Sequence, residues 1–509
     1  MVTARLTIDP HFTVGPINRR LFGSFVEHLG RCVYDGIYEP GHPSADSEGF
    51  REDVIDLVKE LGVSTIRYPG GNFVSGFRWE DSVGPKADRP RRLDLAWHST
   101  ETNEVGLHEF SSWLDKVDSE LMLAVNLGTR GVQEALDLLE YSNISSGTAL
   151  SDRRVTNGKT DAFGVKMWCL GNEMDGPWQL GHTSADEYGR VASQTAKAMR
   201  QVDPSLELVV CGSSSAHMPT FGEWERTVLT HTYEDVDYIS CHAYYEEKNN
   251  DLASFLASAV DMDHFIESVV ATADHVKAVN GSTKSINISF DEWNVWYLDR
   301  YHQVDKIDGA DNWPVAPRLL EDSYSVADAV VFGSLLISLL KHADRVTSAS
   351  LAQLVNVIAP IMTEPAGPAW RQTTFFPFSV TSRLALGSTL AVKLSSDVHD
   401  TELYGTVNTI DAVATHDEDS GATAIFLVNR SQTDDATVTI DLSALGQVAV
   451  VEAQTLSDSD VYAQNTLTGQ ERVGLKVNES VVNGEGVIRI TLPPVSWTAL
   501  SLARESIEA

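Results

Sequence analysis

Basic residues are scarce in this chain of 509 residues: 38 lysines and arginines stand against 72 aspartates and glutamates, a formal net charge of −34. A surface this acidic repels nucleic acid and anionic membranes, so neither is expected as a partner and a neutral ligand fits better. Cysteine is also sparse. Its four copies include no C-x-x-C pair, which leaves neither a disulfide framework nor a thiolate zinc site to expect. Long apolar runs are missing too. The longest, residues 329–340, is interrupted by Gly333 and Ser334 and falls short of the roughly 20 residues needed to cross a bilayer. The opening residues MVTARLTIDPHF lack the apolar stretch of a signal peptide. Together these absences read as a cytoplasmic protein.

What is present is an ordinary globular composition, 42% hydrophobic and 22% charged. The length exceeds what one core holds, so two domains are expected, one of them large. Residues 3–8 alternate as an isolated strand before Pro16 and Asn18 break the pattern. From Leu21 a different rhythm begins, in which short apolar strands alternate with helices. The first helix lines up Phe50, Val54, Leu57, Val58 and Leu61 and stops at Gly62. The next carries Leu107, Phe110, Leu114 and Val117 on one face. Another begins at Ser184, with Glu187 three residues on to complete a capping box.

Eight strand segments fit this rhythm: LFGSFVEH, STIRYPGGN, LMLAVNLG, VKMWCLGNE, ELVVCGSS, VDYISCHAYY, SINISFDEW and RVTSASLAQLVN. Eight strand–helix units predict an α/β fold, a closed (β/α)8 TIM barrel. A doubly wound open sheet is the alternative, but it calls for a glycine-rich turn after the first strand, and GSFVEHLGR has none. Beyond about residue 380 the helices give way to short alternating strands, the pattern of an all-β sandwich of jelly-roll type. The expected division is a catalytic barrel at 19–380 and a sandwich formed by 1–18 plus 381–509.

In a barrel of this kind chemistry sits at the C-terminal ends of the strands. Read in order, those ends carry Glu27 and His28, Arg67 and Asn72, Asn126, Asn172 and Glu173, serines after Gly212, then His242, Tyr244 and Tyr245, Glu292 and Asn294, and finally Gln353 and Asn356. Glu173 follows the apolar strand VKMWCL, and 119 residues later Glu292 ends a second strand in the same way. A carboxylate so close to an apolar strand is costly unless it is paired or used. Only His28 and His242 could serve a metal cluster, no lysine stands at a strand end for a Schiff base, and no phosphate loop is visible, so no metal and no cofactor are expected. Two glutamates from strands on opposite sides of the mouth, among amides and aromatics, describe glycoside hydrolysis. A gap of about 5–5.5 Å makes such an enzyme retaining and a wider one inverting.

The motifs FGSFVEHLGR, GIYEPGHP, IRYPGGNFVSG with WEDSVGP, WCLGNEMDGPWQ, SCHAYY, FDEWNVW and LAQLVNVIAPI together resemble the α-L-arabinofuranosidases of glycoside hydrolase family 51. The resemblance spans about residues 20–380, and the tail suits that family's C-terminal sandwich. It implies a retaining, exo-acting enzyme that releases terminal α-L-arabinofuranosyl residues from arabino-oligosaccharides or arabinoxylo-oligosaccharides. Glu173 would be the general acid/base and Glu292 the nucleophile. Glu27, Asn72, Asn172, Tyr244 and Gln353 match the family's contacts to the sugar. Arg67 is added because a cation beside Glu292 would keep it ionised. His242, Trp178 and Trp296 are candidates for stacking or support, and Trp313, in a long loop at 298–321, for influence on the leaving group. The family is often hexameric, so a homo-oligomer is implied. A β-xylosidase or endoglucanase on the same fold, or a silent sugar-binding protein, are the alternatives.

Overall fold

The computed structural model describes residues 2–484 and 486–504. Its centre is a closed barrel of eight parallel strands in chain order. They are β1 (Gly23–Phe25), β2 (Thr65–Tyr68), β3 (Glu120–Val125), β4 (Met167–Leu170), β5 (Glu207–Val210), β6 (Tyr238–Tyr245), β7 (Asn287–Val295) and β8 (Val346–Ala352). Closure comes from β8 pairing with β1, Ser350 opposite Gly23 and Ala352 opposite Phe25. These strands read as apolar runs because parallel strands in a barrel are covered on both faces. β4 is buried at every position.

A helix follows each strand and covers the outside. The one after β1, Glu52–Leu61, buries Val54, Leu57, Val58 and Leu61 and ends at Gly62, whose φ of 78° is the left-handed conformation glycine adopts at no steric cost. The helix after β4, Ala185–Val202, begins with the expected capping box: Ser184 accepts from the Glu187 amide while Glu187 reaches back to Ser184. The run 329–340 falls within the helix after β7, Val326–Lys341, which is buried along nearly its whole length. Its uniform apolarity follows from its position between the barrel and the second unit. Among the described residues no helix is long and apolar enough to cross a membrane.

The second unit is two packed sheets. Val2–Thr7 is a middle strand of the five-stranded sheet, parallel to Ala436–Asp441, and Thr13–Pro16 is the edge of the seven-stranded one, paired with Ser388–Leu390. Leu6, Ile8, Ile425, Leu427, Ile440, Ile488 and Leu500 meet in one core between the sheets. Helix Phe375–Leu384 runs through residue 380. We therefore place the passage from barrel to sandwich after that helix.

The two units are locked together by packing and by charge. Asp411 of the sandwich accepts from Lys341 at 2.6 Å and from Arg430 at 2.7 Å, so the buried acid is fully compensated. Gly333 lets the indole of Trp497 lie directly against the helix backbone, where any Cβ would overlap the ring. A Gly333→Ala change gains about 1 kcal/mol of helix propensity but overpacks a filled contact at about 1–3 kcal/mol. A net loss of stability is expected, read as a lower midpoint in thermal unfolding; a raised midpoint would contradict this packing.

Candidate active site

Glu173 and Glu292 both stand at the mouth of the barrel. One oxygen of each, together with Nδ1 of His242, lies within 4.8 Å of the others. Glu292 is held from two sides: Arg67 donates to Oε1 at 2.8 Å and the Tyr244 hydroxyl to Oε2 at 2.7 Å. Arg67 also donates to the Asn172 side-chain oxygen at 2.6 Å. Its third neighbour is Asp291, 3.7 Å away. Two successive acids of one strand normally point to opposite faces. Here the register shifts in β7, between Phe290 and Trp293 on one side and opposite Ser240–His242 on the other, and this irregularity brings both acids to Arg67.

Burial works against the charge on Glu292, but His242 and Arg67 beside it, with the Tyr244 hydrogen bond, hold its carboxyl below the usual range. The same neighbours act in reverse on His242. Burial lowers its pKa, yet Glu292 and Glu173 outweigh burial and raise it above the ordinary imidazole value. The imidazole sits between the two glutamates, 2.9 Å from Glu173 and 3.6 Å from Glu292.

Glu173 follows β4 in a tight turn. Its own φ is +44°, a strained conformation for a residue with a side chain, and such strain of order 1–3 kcal/mol is characteristic of functional sites. His242 contacts one oxygen, and the Trp178 indole donates to the other at 2.6 Å. Trp178 itself is 53% exposed at the rim, so one face of the ring is open. Trp296 meets Tyr244 edge-on at 5.0 Å and lines the cavity.

The opposite wall is built on Glu27. Its Oε1 accepts from the Phe73 amide at 2.7 Å and from the Trp97 indole at 2.8 Å, and Gln353 donates to Oε2 at 3.2 Å. Burial pushes this carboxyl up to about 8 against the Trp97 and Phe73 hydrogen bonds, so at neutral pH it can donate as well as accept. Any side chain at Gly71 would overlap the carboxylate, which accounts for the Pro-Gly-Gly turn before Asn72. Asn72 in turn accepts from Asn172 at 3.3 Å. Glu173, Glu292, Glu27, Arg67, Asn72, Asn172, His242, Tyr244, Gln353, Trp178 and Trp296 are thus brought together around one mouth.

Others were invisible in the sequence. Trp97 reaches Glu27 from a loop between β2 and its helix, Gln179 bonds Ser75 beneath the floor at 2.6 Å, and Tyr301 lies beside Trp97. Nothing in a loop's composition announces such contacts. Trp313 lies flat on His98, ring centres 3.7 Å apart, and is not part of the cavity wall. Its loop is tied to the Trp97 loop through that stack, so any influence on substrate is indirect.

The mouth opens into a cavity of about 1020 Å³ that contains Glu27, Glu173, Tyr244, Glu292 and Gln353. Its chemistry is that of two carboxyl groups facing each other among hydroxyl and amide partners. Arg67 already supplies the positive charge Glu292 needs, which argues against a metal ion bound at the same carboxylate.

Residues 57–252 match the family model for the α-L-arabinofuranosidase 1 domain and residues 291–496 that for the α-L-arabinofuranosidase C-terminal domain. The chain is 61% identical to the exo-α-(1→6)-L-arabinofuranosidase of Bifidobacterium longum, covering 98% of this chain and 97% of that protein. It is 60% identical to the intracellular exo-α-(1→5)-L-arabinofuranosidase of Streptomyces lividans, covering 99% of this chain and 76% of that protein. The solved structure of AbfB, a family 51 α-L-arabinofuranosidase from Bifidobacterium longum, superimposes with a TM-score of 0.94 at 52% identity, over 98% of this chain and 99% of that one. These matches run over nearly the whole of the barrel and the sandwich, and the chain belongs to the α-L-arabinofuranosidases of glycoside hydrolase family 51.

Proposed function

We propose that the protein is a retaining, exo-acting α-L-arabinofuranosidase in which Glu292 attacks the anomeric carbon and Glu173 protonates the departing oxygen. The observation that carries this reading is that one oxygen of each carboxyl group lies within 4.8 Å of the other, a close approach that suits a covalent intermediate better than an intervening water. Glu292, kept ionised by Arg67 and His242, forms the bond to the sugar as the aglycone leaves with the proton of Glu173. Water then enters, gives its proton to Glu173, and releases arabinose with its original configuration. Glu27, Asn72, Asn172, Tyr244 and Gln353 are assigned to the hydroxyls of the furanose ring.

The first test measures an aryl α-L-arabinofuranoside against an aryl β-D-xyloside, with the anomer first released followed by NMR. Faster turnover of the arabinofuranoside and initial α-arabinofuranose are expected; initial β product would make the enzyme inverting and remove Glu292 as nucleophile. Relatives named as intracellular support a location inside the cell. Short imported arabinose-containing oligosaccharides are then the substrates, because polymers do not reach such an enzyme. The resemblance to the family also supports a homo-oligomer, a hexamer in particular, and light scattering in solution tests it against the 55.7 kDa chain.

A further inference from the structure

The cavity is larger than one five-carbon sugar requires. At about 1020 Å³ it reaches the upper end of ligand pockets, which run to about 1,000 Å³. The sugar contacts proposed above account for only part of its lining. Elsewhere the wall changes origin. Leu403 and Tyr404 belong to the second unit, at the tip of a hairpin formed by Val398–Thr401 and Gly405–Asn408.

That tip is fastened to the barrel. The Leu403 amide donates to Ser254 at 3.1 Å, on the short helix Leu252–Leu256 that follows β6. A second sandwich segment grips the same region, with the Tyr462 hydroxyl 3.1 Å from Glu247. The segment that follows β6, the strand carrying Tyr244, is therefore held by the sandwich at two points. A tip serving only to brace the barrel would bury its leucine or present a polar residue. Leu403 is instead 65% exposed beside the open cavity, with Tyr404 next to it. The cavity lining also holds polar groups, with His217, Lys248 and Asp261. An apolar surface together with hydrogen-bonding groups suits a sugar ring, which has an apolar face and a polar rim.

We infer that the hairpin tip of the sandwich forms a binding site for the leaving group, with Leu403 and Tyr404 contacting the second and third sugars of an arabinose-containing oligosaccharide. This rests on the proposed arabinofuranosidase activity and assigns to the sandwich a part in choosing the substrate. It also places the choice of linkage away from the two glutamates, because the bond broken is the same whichever sugar departs.

The test compares kcat/KM on an α-(1→5)-linked arabinotriose with that on 4-nitrophenyl α-L-arabinofuranoside in Leu403→Ser and Tyr404→Ala, with thermal unfolding of each variant. Lost contacts to a bound sugar are worth about 10-fold or more, so the triose-to-aryl ratio should fall by about that factor in both variants. Val398→Ser, on the same hairpin but away from the cavity, should leave the ratio and both rates unchanged. Equal losses on both substrates, or an unchanged ratio in Leu403→Ser, whose exposed side chain makes misfolding no explanation, would overturn the assignment. Failure of the native protein to turn over the aryl arabinofuranoside would instead strike the activity itself, a separate outcome.

Discussion

Glu292→Ala should lose turnover on every arabinofuranoside, by on the order of 10⁴-fold or more, the scale on which removing a covalent nucleophile is felt. The Arg67 and Tyr244 hydrogen bonds converge on this one carboxylate. Glu173→Ala should behave differently. General acid assistance is worth about 10²–10⁴-fold, and it is needed only when the leaving group is poor. The variant should therefore fail on arabino-oligosaccharides yet form the glycosyl-enzyme readily from an activated aryl substrate, after which it stalls for want of a base. Azide needs no base. It should restore turnover and give the arabinofuranosyl azide of retained α configuration. Equal losses on good and poor leaving groups in Glu173→Ala would sink the division of roles, and an azide product of inverted configuration would exchange them.

Arg67→Met should damage both stability and catalysis, for one reason. The guanidinium is 1% exposed, and its neighbours Asp291 and Glu292 are 2% and 5% exposed. Removing one partner from a buried ionic cluster leaves uncompensated charge and costs about 3–5 kcal/mol. The pH dependence distinguishes this from a loss of packing. In the native protein the folded carboxyl of Glu292 titrates below its unfolded value of about 4.3. Its contribution to stability is present above that pH and is lost as pH falls through the folded value. Without Arg67 the folded value moves up, and if it passes the unfolded one the sign reverses: stability is then lost as pH rises. Denaturant unfolding from about pH 4 to about pH 7 should show the penalty growing toward neutrality. The acid limb of kcat/KM should move upward in parallel, since it reports the ionisation of the free enzyme's nucleophile. A penalty independent of pH would mean that Arg67 matters only for the space it fills.

Much of this architecture could be read from one chain because the relevant signals are local. Helical stripes such as Val54, Leu57, Val58 and Leu61 and apolar strands such as Met167–Leu170 depend on which faces are covered, and burial leaves that record in residue order. The polar ends of the strands could be read for the same reason. Glu173 and Asn172 stand out because an acid and an amide directly after a buried strand need a purpose. The contacts of Trp97 and Tyr404 could not be read, since a loop or hairpin tip keeps no periodicity to show what it leans on. The role of Asp291 was hidden by the register shift in β7, because simple alternation would turn it away from Glu292.

Residue order therefore sufficed for the eight strand–helix units, the sandwich that follows them and the family to which the chain belongs. Folding in three dimensions decided three further matters. It set the gap between Glu173 and Glu292, because strands far apart in the chain meet only through barrel closure. It placed the His242 imidazole between them, since opposing burial and charge effects can be weighed only once distances exist. It carried Leu403 and Tyr404 from the sandwich to the rim of the barrel, because the contact depends on how the two units dock, and docking leaves no mark on a short stretch of sequence.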